Sequence, residues 1–191
     1  MTLTRSISFV ALGTALLLLI PLTAKLFLAE MAWSVGDFVA AGIMLFGSGL
    51  MFVLIARMSD NTWYRLGTAV GVGAGLMLVW ANLAVGLVGS EHNPANLLYV
   101  VVLAVALIGA FVARFHPHGM SNAMFAASLT YVLVTAIALY IWKPTGAAAE
   151  PNVGLVTVLA ANGLFAAVWA FAGLLFRRAS TSGSKAGPRL A

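Results

Sequence analysis

No cysteine occurs in the 191 residues. That excludes disulfides, thiolate metal sites and cysteine nucleophiles, and it leaves the redox compartment open. Charge is almost as scarce, with 8% of residues Asp, Glu, Lys or Arg, against about 25% in a soluble domain. Catalytic signatures are missing too. There is no G-x-S-x-G elbow, phosphate loop, H-E-x-x-H pair, dinucleotide fingerprint or Ser-His-Asp order. The glycines around Gly71 and Gly73 sit in an apolar run with no strand before it. The sequence therefore shows no catalytic, metal or cofactor set.

What is present is mostly hydrocarbon. Hydrophobic residues make up 62% of the chain, and the mean hydropathy is +1.04. No water-soluble core hides that much apolar surface, so lipid is the natural solvent. Six apolar runs, at 7–28, 35–56, 63–88, 95–113, 120–142 and 153–176, each match the roughly 20 helical residues that cross a bilayer. They are apolar on every face, which argues against the alternation of a membrane β-barrel. Short connections predict that sequence neighbours pack antiparallel. The expected class is all-α: a polytopic membrane protein with six transmembrane helices in an antiparallel bundle over 1–178, and a disordered polar tail over 179–191.

Boundary chemistry supports these runs. Ser34-Val-Gly-Asp37 reads as a capping box, and Asp60, Asn61 and Thr62 offer caps for the third helix. Pro117 separates the fourth and fifth, Lys143-Pro144 closes the fifth, and Asn152 caps the sixth. Arg5 followed by an apolar run resembles a signal peptide. The candidate cuts after Ala24 or Ala29 put Leu22 or Phe27 where a small residue belongs, so the run reads as an uncleaved anchor.

The basic residues are sorted. Arg5, Arg57, Arg65, Arg114, Arg177, Arg178, Lys185 and Arg189 fall on one side of the expected bundle, and only Lys25 and Lys143 on the other. By the positive-inside rule both termini are cytoplasmic. The net charge of +5 is then a topology signal, with an attraction to anionic lipid, and needs no nucleic-acid partner.

Within the runs no Asp, Glu, Lys, Arg or His reaches an interior position. Proton coupling, voltage sensing and haem held between helices all draw on such groups. His92, His116 and His118 fall in connections, and Met44, Met51 and Met58 read as packing rather than copper ligands. Two amides do lie inside: Asn82 about 9 Å and Asn162 about 13 Å below the outer end of their helices, at ~1.5 Å per residue. With Trp80 they either pair as packing or line a polar pocket. Gly67, Gly71 and Gly75 form a small-xxx-small face, which serves packing within the chain or a dimer contact.

The most polar interruption is GSEHNPANLLY, residues 89–99, between the third and fourth runs. Asn93 before Pro94 fits an N-cap with proline at the first helical position. Asn96 then falls in the first turn, Gly89 ends the third helix and Tyr99 anchors at the interface. Capping leaves Glu91 and His92 unexplained, and one His beside one Glu is a weak metal signal.

Three stretches carry a family likeness: EMAWSVGDF (30–38), WANLAVGLVGSEHNPANLLY (80–99) and ARFHPHGM (113–120). They resemble an uncharacterised family of small bacterial inner-membrane proteins with the pattern W-x-N-x-A-V-G-x-x-G-S-E-x-N-P-A-N. This chain matches it at Trp80, Asn82, Ala84, Val85, Gly86, Gly89, Ser90, Glu91, Asn93, Pro94, Ala95 and Asn96. The likeness spans residues 15–140 and implies a bacterial inner (cytoplasmic) membrane location, with no activity attached.

The leading expectation is a non-enzymatic interaction or assembly subunit of a membrane complex. Its partners are the bilayer and either another membrane protein or a second copy. The alternative is a channel or facilitator for a small neutral or amphipathic solute, using Trp80, Asn82 and Asn162. A third reading, lipid chemistry at Glu91 and His92, lacks a geometry that orients one toward the other.

Overall fold

Helix starts follow the caps. The computed structural model describes residues 2–27, 33–89, 92–141 and 155–184. After α1 (Leu3–Phe27), α2 (Val35–Ala56) opens on a closed capping box. Ser34 N donates to Asp37 Oδ2 at 2.7 Å, and Asp37 N donates to Ser34 Oγ at 3.3 Å. Asn61 opens α3 (Thr62–Ala84), its Oδ1 accepting from Trp63 N at 2.8 Å and Tyr64 N at 3.3 Å. A 3-10 turn (Pro94–Tyr99) precedes α4 (Val100–Val112), then come α5 (Pro117–Ile141) and α6 (Leu155–Ser184). Six helical segments are long and apolar enough to cross a membrane, the fourth formed by the 3-10 turn and α4 together. No strand occurs among the described residues.

Three expected boundaries shift, each for a local reason. α3 stops at Ala84 rather than near 88, because Gly86 takes φ 73° and sends its N–H back to Ala81 O at 2.9 Å, a glycine ending. Gly86, not Gly89, is thus the terminator. Asn93 does cap, accepting from Ala95 N at 2.9 Å with Pro94 next, but what it opens is a 3-10 turn. At the far end α6 runs to Ser184 through part of the expected tail. There Ser180 Oγ donates to Arg177 O, and Thr181 Oγ1 and Ser182 Oγ to Arg178 O. The expectations at Lys143-Pro144 and Asn152, and the remaining tail, lie outside the described residues.

The chain divides into two compact units, Met1–Arg57 and Met58–Ala191. In the first, α1 packs on α2. A Cβ on Gly49 would sit 2.6 Å from Val10 Cγ1, and one on Gly42 would sit 3.5 Å from Leu18 Cδ1.

In the second unit α5 lies between α4 and α6, and α6 also carries α3. Sequence neighbours pack for α4–α5 and α5–α6, whereas α3 is seated on α6 rather than closely on α4. The glycine face explains that seat. A Cβ at Gly67 would meet the Phe176 ring at 3.1 Å, and one at Gly71 would meet Met124 Sδ at 3.2 Å and Ala172 Cβ at 3.9 Å. One at Gly75 would reach Leu103 Cδ2 at 3.5 Å and Trp169 at 4.0 Å. The tightest approach in this unit joins α4 to α5: Cβ atoms on Gly109 and Gly119 would fall 2.7 Å from Ala123 Cβ and 2.5 Å from Ala113 Cβ. Each helix thus offers a G-x-x-x-A pair to the other.

Hydrogen bonds define the ends of this unit. At one end Tyr64 OH donates to Phe115 O at 2.8 Å and Asn61 Nδ2 to Ala179 O at 3.4 Å. That gathers the start of α3, the α4–α5 corner and the end of α6, with Arg65, Arg114, Arg177 and Arg178. The corner is strained, since Arg114 and Phe115 take φ 47° and 58°, a region unfavourable to side chains other than glycine. The opposite end holds the Gly86–Tyr99 connection.

Candidate functional site

The connection after α3 does not lie loosely over the helices. Leu87, Val88, Ala95 and Tyr99 are all buried, so their backbone needs partners from within the protein. Two asparagines supply them. Asn96 Oδ1 accepts from Leu87 N at 2.9 Å and from Val88 N at 3.0 Å. Asn162, 2% exposed on α6, donates from Nδ2 to Leu87 O at 3.0 Å and to Val158 O in its own helix at 2.9 Å. Its Oδ1 accepts from Tyr99 OH at 2.7 Å, and Thr135 Oγ1 lies 3.0 Å from Tyr99 OH and 3.4 Å from Asn162 Oδ1. Thr135 in turn donates to Tyr131 O at 2.9 Å. These side chains latch the connection to α5 and α6.

The latch reassigns three expected roles. Asn96 stitches the chain before it instead of serving only the first turn. Tyr99 is a buried core hydroxyl, 1% exposed, and not an interfacial anchor. Asn162 does not pair with Asn82.

Asn82 faces a different environment. Because α3 leans on α6, a cleft of 420 Å³ remains beside α3, the connection and the start of α4. Leu78, Val79 and Leu83 line it from α3, Val100 and Leu103 from α4, and His92, Asn93, Pro94 and Leu97 from the connection. Asn82 also lines it and donates from Nδ2 to Leu78 O, one turn back, at 3.1 Å. Its Oδ1 is buried without a hydrogen-bond partner. Leaving such an acceptor unsatisfied costs about 1–3 kcal/mol, more than the donated bond returns in a membrane setting, about 0.6 kcal/mol on average. A bound N–H or O–H would offset that cost. Two lining side chains, Leu83 at 65% and Leu97 at 72% exposure, have room to move aside for it.

Three other polar atoms of lining residues are committed. Asn93 Oδ1 caps Ala95, Asn96 Oδ1 holds Leu87 and Val88, and Tyr99 OH faces Asn162 and Thr135. Such a cleft suits a mostly apolar molecule carrying one hydrogen-bond donor.

The remaining expected site residues disperse. Trp80 is half-buried on α3 and does not line the cleft. Glu91 lies outside the described residues. Gly67, Gly71 and Gly75 are packed within the chain. His116 and His118 are exposed at the α4–α5 corner, with His116 Nδ1 3.2 Å from Ala113 O. Among the described residues no three His, Cys, Asp or Glu side chains cluster as a metal site. Sequence reasoning missed Tyr99 and Thr135 as partners of Asn162. A Tyr and a Thr at helical depths comparable to Asn162 were the available signal. Comparison with protein-family models, curated proteins and solved structures finds no match.

Proposed function

We propose that this is a non-enzymatic protein of a bacterial inner membrane, as the motif resemblance implies. Its six helices form an antiparallel bundle with both termini cytoplasmic and the Gly86–Tyr99 connection outside. The function we assign is binding of a small neutral or amphipathic solute in the α3–α4 cleft, as a channel or facilitator. One observation carries this reading: Asn82, which lines an apolar cleft, keeps a buried and partnerless Oδ1. Asn162, which the sequence also offered to such a pathway, belongs to the latch. Proteoliposomes challenged with glycerol, urea and a short-chain alcohol should show protein-dependent flux of at least one. Asn82→Leu should lower that flux by about tenfold, the worth of one hydrogen bond. Flux that is absent for all three, or unchanged in the variant, would sink the proposal.

A second reading, the assembly subunit, draws support from α1, none of whose side chains is buried. The glycine face offers it less support, since Gly67, Gly71 and Gly75 pack against α4, α5 and α6 of the same chain. A stoichiometric protein partner lost on substitution along α1 would favour it.

A further inference from the structure

A second cleft, of 300 Å³, lies at the opposite end of the same unit. Its floor is a stripe of α6. Phe171, Leu174, Leu175 and Arg178 stand at i, i+3, i+4 and i+7, one helical face. Trp63, at the start of α3, forms the facing wall, with Arg177 and Thr181 beside it. The site is amphipathic along its length. Phe171 and Leu174 are half-exposed apolar side chains, and the two guanidiniums follow them toward the helix end.

Arg178 is held in place. Its guanidinium carbon lies 5.1 Å from the centroid of the Trp63 ring, a cation–π contact that leaves the N–H edges unused. Asn61 Nδ2, bonded to Ala179 O, ties the same two helix ends together. The ion pair seen among the described residues joins Arg65 to Asp60 at 2.8 Å, and no described acid pairs with Arg177 or Arg178. Thr181 donates its hydroxyl to Arg178 O, so the charged donors available to a ligand are the guanidinium N–H groups. A guanidinium held on Trp63, with the Arg177 side chain beside it at the end of an apolar groove, matches a phosphate joined to an acyl chain.

We propose that this cleft binds an anionic phospholipid, with the headgroup phosphate at Arg177 and Arg178 and an acyl chain along Phe171 and Leu174. The lipid belongs to the leaflet next to the basic end, the cytoplasmic one by the distribution of basic residues. It would brace α3 against α6 where both reach the headgroups.

The test is native mass spectrometry of the full chain released from nanodiscs of equal phosphatidylglycerol and phosphatidylcholine. The wild type should retain phosphatidylglycerol selectively. The R177Q/R178Q variant should lose that selectivity by on the order of thirtyfold, from two basic side chains. Trp63→Leu keeps both charges, removes the platform and should lose about threefold. Arg114→Gln, at the same end but outside the cleft, should change nothing, with helix content by circular dichroism confirming that each variant folds. Three results would overturn the proposal. They are retention without headgroup preference, an equal loss in Arg114→Gln that marks diffuse surface charge, or full displacement of the lipid by millimolar inorganic phosphate that marks a free-anion site.

Discussion

Single side chains separate structural from available polarity in this chain. Tyr99 and Tyr131 show the distinction, their ring centroids 5.0 Å apart. Tyr99 OH donates to Asn162 Oδ1, whereas Tyr131 OH is buried without a partner. Tyr99→Phe should therefore destabilise the protein by about 1 kcal/mol, leaving Asn162 under-satisfied. Tyr131→Phe, which removes only an unpaired hydroxyl, should be neutral or stabilising. Thermal unfolding of both variants in one detergent decides the matter, and equal losses would contradict the hydrogen-bond assignment. Asn96→Ala strips acceptors from two buried N–H groups and should cost about 2–3 kcal/mol, the larger effect because those donors sit on backbone with no alternative partner.

At the scale of helices, small residues set the distances. A Cβ on Gly67 would press 3.1 Å from the Phe176 ring, and one on Gly109 would press 2.7 Å from Ala123 Cβ, while Gly73 has nothing within 4 Å. Gly67→Ala and Gly109→Ala should each lower stability by about 1–3 kcal/mol through overpacking. Gly73→Ala should be neutral or stabilising by helix propensity, at most about 1 kcal/mol. Chemical denaturation reads all three, and a loss in Gly73→Ala as large as the others would contradict the packing described. The capping box at Ser34 and the cap at Asn61 were legible in the sequence because a cap is a local bond over three residues. The seat of α3 on α6 was not, since a glycine face announces close packing but not its partner. The G-x-x-x-A pairs of α4 and α5 are readable in the same way, but they lack the regular repeat of the α3 glycines. The end of α3 escaped too, because Gly86 and Gly89 are both plausible terminators and only the backbone shows which one turns.

For the whole molecule, six apolar runs led directly to six helices, as hydrocarbon thickness requires. The division at Arg57 and Met58 had no compositional mark, since apolar helices carry no label for their neighbours in lipid. The same blindness hid the site. Asn82 and Asn162 look alike as amides at similar depth, and only packing makes one a latch and leaves the other beside a cleft with its Oδ1 unpartnered. That distinction is the centre of the account, and it is tested most directly by purification in gentle detergent at native expression, with mass spectrometry of what stays bound. The account predicts a small amphipathic molecule on the wild type, retained by Asn162→Leu molecules that remain folded and lost from Asn82→Leu. A protein that carries no small molecule, or one bound equally by Asn82→Leu, would contradict it.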